Sequence, residues 1–259
     1  MAEDQPLKKY IRKYKRTGNH VRRYLFIRKF TKGKDVIEFG CGYGAGSTIM
    51  KDNFNSYLGI DIDKQAINYA KANIQPLHNN VKFALLSEFQ NHEQIIKSDI
   101  AICFEVLEHV KDPRSLLAFL VSITKNNGLI ILSTPNGLSS RGNRELYRTP
   151  YHINEFTPQQ FVELLSEQGD SEIYGERRID KMDLSALSAR LHDNKIKGSH
   201  KTNSEAVPLS RKNWNRAVAF GYKYINRSLF WKIYKTSLEH EQSQLNSSTL
   251  VAILKPQQR

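Results

Sequence analysis

The sequence is poor in cysteine and has no long apolar run. Only Cys41 and Cys103 occur among its 259 residues, and two cysteines in strand-like stretches provide neither a disulfide framework nor a zinc cluster. The apolar runs are strand-sized, far short of the ~20 residues of a transmembrane helix. The opening MAEDQPLKKY lacks the apolar core of a signal peptide. We therefore expect a soluble, cytoplasmic protein.

Positive charge is abundant and unevenly placed. The net charge is +13, and residues 1–34 hold 12 Lys or Arg. Residues 211–236 hold seven basic and no acidic residues, interleaved with seven aromatic ones. This basic aromatic segment predicts either a lid helix packed on the domain, peripheral contact with the inner face of a membrane, or contact with nucleic acid.

Apolar, β-branched runs alternate with helical patterns along the chain. DVIEF, YLGIDI, VKFALL, DIAICF and LIILST are separated by stretches such as KQAINYAKANI and PRSLLAFLVSITK. SEIYGERRI and STLVAILKP supply two closing strands. The pattern predicts an α/β protein with a doubly wound, mostly parallel seven-stranded sheet. A basic helical cover is expected over 1–34, before a domain over 35–259 with a helical insertion at about 180–245.

The first strand leads into a glycine-rich turn. VIEFGCGYGAGS, residues 36–47, has glycine at four alternate positions, which lets the backbone approach a ligand closely. Asp61 follows Gly40 by 21 residues, the spacing at which a carboxylate binds both ribose hydroxyls of a nucleoside. Glu38 suits a cationic ligand better than a pyrophosphate, although it would also serve as a cap for the turn.

Four motifs in this order resemble those of class I S-adenosylmethionine (SAM)-dependent methyltransferases, over about residues 18–178. VIEFGCGYGAGS resembles their first motif, YLGIDID the second, FEVLEHVKDP the fourth, and NNGLIILSTPN the strand that follows. The resemblance implies the Rossmann-like methyltransferase fold and SAM as cofactor. The cofactor residues that it implies are Arg23, Tyr24, Glu38, Gly40, Cys41, Gly42, Tyr43, Asp61, Ile62, Ser87, Glu88, Phe104 and Glu105.

The same resemblance divides these residues among parts of the cofactor. The glycine turn and Glu38 would line the methionine end, with Arg23 near its carboxylate. Asp61 would hold the ribose and Ile62 would flank the adenine. The family often has an acidic residue after the third strand, where this chain has Ser87, so the contact with the adenine edge is left open between Ser87 and Glu88.

FEVLEHV holds two carboxylates and an imidazole. If a helical turn begins after the fourth strand, Glu105, Glu108 and His109 share one face. His152 lies in the loop after the fifth strand, on the same rim, and is the expected fourth ligand. The arrangement resembles the E-x-x-E-H motif and later His of methyltransferases of ubiquinone biosynthesis and of small-RNA 3′ ends, which implies a site for Mg²⁺ or another divalent cation. Alternatively, His109 or His152 is a general base beside Glu108, or the dipeptide 108–109 only caps a helix.

The acceptor is less well marked than the cofactor. GNHVRRYLFIRKF before the glycine turn and RTPYHINEFTPQQF before EIYGERRI resemble a bacterial methyltransferase group associated with surface polysaccharide and glycolipid biosynthesis. That resemblance implies O-methylation of a hydroxyl on a sugar, glycolipid or related small molecule. An RNA 2′-hydroxyl and a quinone precursor are alternative acceptors. A scaffold that binds SAM without catalysis is the non-enzymatic alternative.

Overall fold

The computed structural model describes residues 19–51, 53–91, 96–138, 151–178, 231–235 and 249–257. Residues 1–18 of the predicted cover lie outside these ranges. The described ranges also leave out most of the predicted insertion at 180–245 and most of the basic aromatic segment 211–236.

Within the described residues, eight strands form one sheet. The strands are β1 (Asp35–Phe39), β2 (Ser56–Asp61), β3 (Val81–Leu85), β4 (Ser98–Phe104), β5 (Thr124–Pro135), β6 (Gly169–Arg178), β7 (Trp231–Lys235) and β8 (Thr249–Pro256). Their spatial order is β3-β2-β1-β4-β5-β8-β6-β7. β1 to β5 are parallel, whereas β8 pairs antiparallel with both β5 and β6. The predicted doubly wound, mostly parallel sheet is confirmed.

Helices pack on both faces of this sheet. They are α1 (Asn19–Thr31), α2 (Ala45–Ile49), α3 (Lys64–Asn73), α4 (Leu86–Gln90), α5 (Pro113–Ser122) and α6 (Pro158–Ser166), with 3₁₀ turns at Gln75–Leu77 and Leu107–His109. Asp63 caps α3 by accepting hydrogen bonds from two backbone N–H groups, and Asp112 caps α5 in the same way. No helix of the described part of the chain is long and apolar enough to span a bilayer.

The core lies in two clusters, one on each face of the sheet. Leu117 of α5 and Phe161 of α6 pack on one face, while Ile27 of α1 and Ile67 of α3 pack on the other, all with no solvent exposure. Burial on both faces explains why the central strands read as continuous apolar runs rather than as alternating ones.

One element differs from the expectation. The five residues Trp231–Lys235 form β7, paired antiparallel with β6 at the edge of the sheet, where the sequence predicted part of a helical insertion. WKIYK alternates apolar and basic residues, which is the period of a strand with two unlike faces. The expected strands are thus all present, and β7 is added to them.

The strand order places the candidate site. The chain winds outward through β1, β2 and β3, then crosses back to lay β4 on the other side of β1. The carboxyl ends of β1 and β4 therefore flank a topological switch point, where open α/β sheets bind ligands. The glycine turn follows β1, and the FEVLEHV motif begins within β4 and runs past its end.

Candidate active site

The glycine turn is folded tightly against β2. Gly40, Gly42 and Gly44 have φ angles of 76°, 53° and 79°, a left-handed conformation that side chains disfavour. The N–H groups of Gly40 and Cys41 both donate to the carbonyl of Ile60, at 2.8 and 3.1 Å. The alternating glycines are therefore required by the backbone path, and the loop opens toward the switch point.

Asp61 joins the glycine turn to the loop after β2. Its Oδ2 accepts a hydrogen bond from the N–H of Gly42 at 2.7 Å, and its Oδ1 accepts one from the N–H of Asp63 at 2.9 Å. A carboxylate has about four acceptor positions, so both oxygens can accept further bonds from ribose hydroxyls. The neighbouring Ile62 is 78% exposed, and its contact with the adenine stays a prediction.

Glu38 is buried beneath the glycine turn. Its Oε1 accepts a hydrogen bond from the Tyr24 hydroxyl at 2.5 Å, and its Oε2 accepts one from the Tyr57 hydroxyl. Burial raises the pKa of Glu38 to about 7, against the effect of these two bonds. A side chain at Gly46 would collide with this carboxyl group and with Tyr24. A residue that only caps the turn would not need hydrogen bonds from two tyrosine hydroxyls, so these bonds argue against that alternative for Glu38.

Arg23 lies in the interior. Its guanidinium pairs with Glu105 (Nη1 to Oε1, 2.8 Å) and with Glu176 (Nε to Oε2, 2.9 Å), and Nη1 also donates to Ser133 Oγ at 2.7 Å. Only 1% of the side chain is exposed. Where the sequence suggested contact with the cofactor's carboxylate, the structure favours a supporting role behind Glu105. Tyr24, the next residue, packs its ring on Phe104, with centroids 5.3 Å apart.

The residues expected near the adenine edge are on the surface at α4. Ser87 is exposed. The Glu88 carboxylate accepts a hydrogen bond from the N–H of Leu85 at 3.0 Å and pairs with Lys71 at 2.8 Å. Both contacts involve Oε2 of Glu88, and Glu88 is exposed like Ser87, so the choice between the two for the adenine edge stays open.

The remaining predicted cofactor residues lie in the glycine turn. The Cys41 thiol is buried, and burial raises its pKa well above the ordinary value, so it stays protonated. The Tyr43 ring packs edge-on against Tyr69 at 5.6 Å.

The structure brings together three of the four predicted metal or catalytic residues. One ligand atom from each of Glu108, His109 and His152 lies within 4.8 Å of the other two. Glu105 is outside this group, which corrects the expectation that all four ligate one ion. Its φ of 55° turns the backbone away from a helical path, so the i, i+3, i+4 face does not form, and its carboxylate faces Arg23 and Ser133 instead.

The loop carrying His152 is fastened to the turn after β4. The N–H groups of Ile153 and Asn154 both donate to the carbonyl of Glu108, at 2.7 and 3.1 Å. His109 Nδ1 lies 2.9 Å from the carbonyl of Tyr151. A carbonyl only accepts, so Nδ1 carries the proton of the neutral ring and Nε2 has a free lone pair.

The charges in this cluster are set by burial. Burial, and then the neighbouring Glu105, raise the pKa of Glu108. Burial, and then His109, lower the pKa of His152. The rings of His109 and His152 meet edge-on at 4.9 Å. At neutral pH the cluster therefore offers an uncharged imidazole of His152 beside a Glu108 carboxyl group that is mostly protonated, because its pKa is raised to about 8.

Three further residues of the site were not predicted, because no sequence motif assigns them a role. Tyr57 bonds Glu38, while Ser133 and Glu176 bond or pair with Arg23. Each belongs to a strand that the sequence predicted, but their partners are far away along the chain. A charged residue inside the predicted strand SEIYGERRI was the one available hint for Glu176.

A glycine turn at the switch point, an acidic residue at the end of β2, and a cluster of one carboxyl group and two imidazoles from the loops after β4 and β5 are the features of a nucleoside-binding α/β enzyme. A family model described as a methyltransferase domain matches residues 9–169, more than half of the chain. The chain belongs to this methyltransferase family. The prediction that the chain holds a methyltransferase domain is thereby confirmed.

Two relatives illustrate the similarity in sequence. A probable S-adenosylmethionine-dependent methyltransferase of Mycolicibacterium smegmatis is 26% identical over 53% of this chain and 52% of its own length. A ubiquinone biosynthesis O-methyltransferase of Nitrosospira multiformis is 35% identical over 40% of this chain and 44% of its own. The chain thus spans about half the length of the curated relatives it matches.

Solved structures show the same fold. A SAM-dependent methyltransferase of Thermotoga maritima, described as a possible histamine N-methyltransferase, has a TM-score of 0.58 at 12% identity, covering 97% of this chain and 96% of its own. A putative sarcosine dimethylglycine methyltransferase of Galdieria sulphuraria has a TM-score of 0.52 at 13% identity, covering 93% and 86%. At these identities the likeness concerns the fold.

Proposed function

We propose that this protein transfers the methyl group of SAM to a hydroxyl oxygen of a sugar, glycolipid or related small molecule. The observation that carries the proposal is the imidazole of His109, held by Tyr151 with Nε2 unprotonated, beside Glu108 and His152. This cluster follows β4, next to the glycine turn expected to hold the cofactor. A base at that place suits an oxygen acceptor, which must lose a proton.

The protein's own groups account for the fate of that proton. When bound, SAM supplies a methyl group on a sulfonium, which an oxygen nucleophile can attack. As the new carbon–oxygen bond forms, the bond between the methyl group and sulfur breaks and leaves S-adenosylhomocysteine, while Nε2 of His109 takes the hydroxyl proton and the ring becomes an imidazolium. Glu108 Oε1 lies 3.9 Å from Nε2, and it stabilises that charge above its raised pKa of about 8, where the carboxyl group is ionised. His152 lies against the other side of the cluster and helps to orient the hydroxyl.

The same three side chains fit a divalent cation. One carboxylate and two imidazoles are a donor set typical of Mn²⁺, Fe²⁺ or Zn²⁺, and they suit Mg²⁺ less well because Mg²⁺ prefers oxygen ligands. A bound ion would lower the pKa of the acceptor hydroxyl. We propose such a site as the second mode of activating the acceptor, with His109, His152 and Glu108 as its ligands.

A quinone precursor is a second candidate acceptor. It is favoured by relatives named ubiquinone biosynthesis O-methyltransferases, with identities of 32 to 35% over about 40% of this chain. The rim beside His152 is also apolar: Tyr151 is 76% exposed and Ile153 58% exposed. Such a rim suits a flat ring, a sugar face or a lipid chain, so it is compatible with either acceptor.

The test is methyl transfer from labelled SAM to a cell extract separated into sugars and nucleotide sugars, lipids and quinones, and RNA. Label in the sugar or glycolipid fraction supports the leading acceptor. Label in quinones supports the second candidate, and label in RNA contradicts both. Each reaction is repeated with chelator and then with Mn²⁺, Zn²⁺ or Mg²⁺ restored. Loss and recovery of label supports the metal mode, whereas indifference to chelator supports His109 as the base.

Matched variants separate chemistry from folding. Glu108→Gln should abolish labelling and leave binding of S-adenosylhomocysteine (SAH) intact. Glu163→Gln makes the same change on the exposed face of α6, and should alter neither. Equal loss of SAH binding and turnover in Glu108→Gln would assign Glu108 to the fold instead.

A further inference from the structure

Glu105 occupies an unusual position at the switch point. It is the first residue after β4, and its φ of 55° is a left-handed conformation that costs energy in any residue but glycine. Its side chain is 22% exposed, in contrast to the buried Glu108. A partly exposed carboxylate on strained backbone, between the ends of β1 and β4, is placed to meet a cationic group of a ligand.

The buried side of this carboxylate is held from another element. Arg23 of α1 pairs with Glu105 Oε1 at 2.8 Å, and Ser133 Oγ donates to the same oxygen at 2.9 Å. The other end of the guanidinium pairs with Glu176 of β6 at 2.9 Å. One guanidinium thus lies between two carboxyl groups, and Glu105 is the one of the two that is partly exposed.

We propose that Arg23 is a positioning residue for the cofactor, which fixes Glu105 at the floor of the site so that its second oxygen meets the ammonium group that SAM and SAH share. By this proposal α1 is part of the cofactor site and not only a cover. The proposal rests on the cofactor site described above. It differs from direct contact between Arg23 and the cofactor, because Arg23 acts through Glu105.

The competing explanation is that Arg23 only anchors α1 to the sheet. The two explanations predict different results when both residues are substituted. If Arg23 positions Glu105, the effect of an Arg23 substitution on cofactor affinity depends on whether Glu105 is present. If Arg23 only anchors α1, that effect is independent of Glu105. All variants are compared in a chain that also carries Glu176→Gln, so that loss of Arg23 destabilises the protein less. There, loss of Arg23 does not leave a second carboxyl group buried without its partner.

The experiment measures SAH affinity by calorimetry for four chains, all with Glu176→Gln: the parent, Arg23→Met, Glu105→Gln and the double variant. We expect either single substitution to weaken SAH binding about 10-fold and the double variant to bind no more weakly than the worse single. Arg23→Lys should recover part of the affinity, since an ammonium still pairs with Glu105 but cannot fork to a second partner. Lys125→Met, which removes an ion pair with Asp35 away from the site, should leave SAH affinity unchanged.

Three results would overturn the proposal. Additive effects of Arg23→Met and Glu105→Gln would assign Arg23 to anchoring alone. Unchanged SAH affinity in a folded Arg23→Met chain would remove any role in binding. Failure of the natural chain to bind SAH would overturn the cofactor site itself, and the role of Arg23 with it. Failure of the role of Arg23 alone would leave SAH binding by the natural chain intact.

Discussion

A carboxyl group without solvent exposure, Glu38, lies directly beneath the glycine turn. In the free protein its only described donors are the hydroxyls of Tyr24 and Tyr57. Two neutral donors offset only part of the cost of burying a carboxylate, which is why its pKa rises to about 7. A cationic cofactor nearby would favour the ionised form, so this residue links stability, pH and ligand binding.

The raised pKa has a predictable effect on stability. Between pH 4.5 and about 7 the folded protein retains a proton on Glu38 that the unfolded chain has released. The stability contributed by this group is therefore fully present below about pH 4.5 and is lost as pH rises through about 7, amounting to roughly 3 kcal/mol. Burial raises the pKa of Glu176 to about 7 as well, which acts in the same direction.

We expect Tm of the free protein to fall as pH rises from about 5 to 8, and Glu38→Gln to flatten that fall. Thermal unfolding monitored at half-unit pH steps measures it. Glu163→Gln, at an exposed position, should reproduce the natural pH profile. Parallel profiles for the natural chain and Glu38→Gln would show that Glu38 has an ordinary pKa in the fold.

Asp61 allows a sharper test of the cofactor site. Asp61→Ala removes the proposed acceptor for the ribose hydroxyls and also the acceptor for the N–H of Gly42, so SAH affinity should fall at least about 10-fold. Asp63→Ala is the control two residues away. It removes the cap of α3 and should cost about 1 kcal/mol of stability, with little change in SAH affinity. Normal SAH binding by Asp61→Ala in calorimetry would show that the ribose site lies elsewhere.

At the scale of elements, the loop 151–154 decides whether His152 reaches the cluster. Its backbone is bonded to the carbonyl of Glu108, and the Asn154 amide donates to the carbonyls of Val110 and Leu107 at 2.6 and 3.4 Å. These bonds fix the loop to the turn after β4. The catalytic geometry therefore depends on a polar residue that takes no part in the chemistry.

Asn154→Ala should lower the rate of methyl transfer about 10-fold without weakening SAH binding, because it frees the loop and not the cofactor site. Labelled transfer to the active extract fraction gives the rate, and calorimetry gives the affinity. Gln159→Ala, in the first turn of α6, is an exposed control that should change neither. A rate equal to that of the natural chain would mean that the loop is fixed by its backbone bonds alone.

Elements also show what the sequence could and could not predict. The parallel strands, their crossover helices and the glycine turn follow from local periodicity and from residue types within a few positions of each other. Arg23 contacts Ser133 and Glu176, which are both far from it in the chain. No local sequence pattern encodes these contacts. The left-handed backbone at Glu105 was missed for a related reason: tertiary contacts impose it on a residue that does not favour it.

At the scale of the whole molecule, the net charge of +13 is carried by residues 1–34 and 211–236, because the rest of the chain holds more acidic than basic residues. Seven basic and seven aromatic residues within 211–236 form a composition that suits the interface of an anionic membrane. A lipid-linked acceptor would make such contact useful, because it would concentrate the enzyme at its substrate. Peripheral contact with the inner membrane face remains a prediction from the sequence.

We expect the protein to sediment with vesicles that contain anionic lipid at about 0.05 M salt and to be released at about 0.5 M, where charges are screened within a few ångströms. Replacing Arg211, Lys212 and Arg216 by Ser should weaken binding about 100-fold, since each basic residue near the surface contributes about 1 kcal/mol. The control removes the same charge from the body of the protein by replacing three exposed lysines, Lys64, Lys82 and Lys97. Equal loss in both triple variants would mean that net charge, and not the basic aromatic segment, attracts the protein to the vesicle. Binding that survives high salt in the segment variant would assign the contact to apolar side chains rather than to charge.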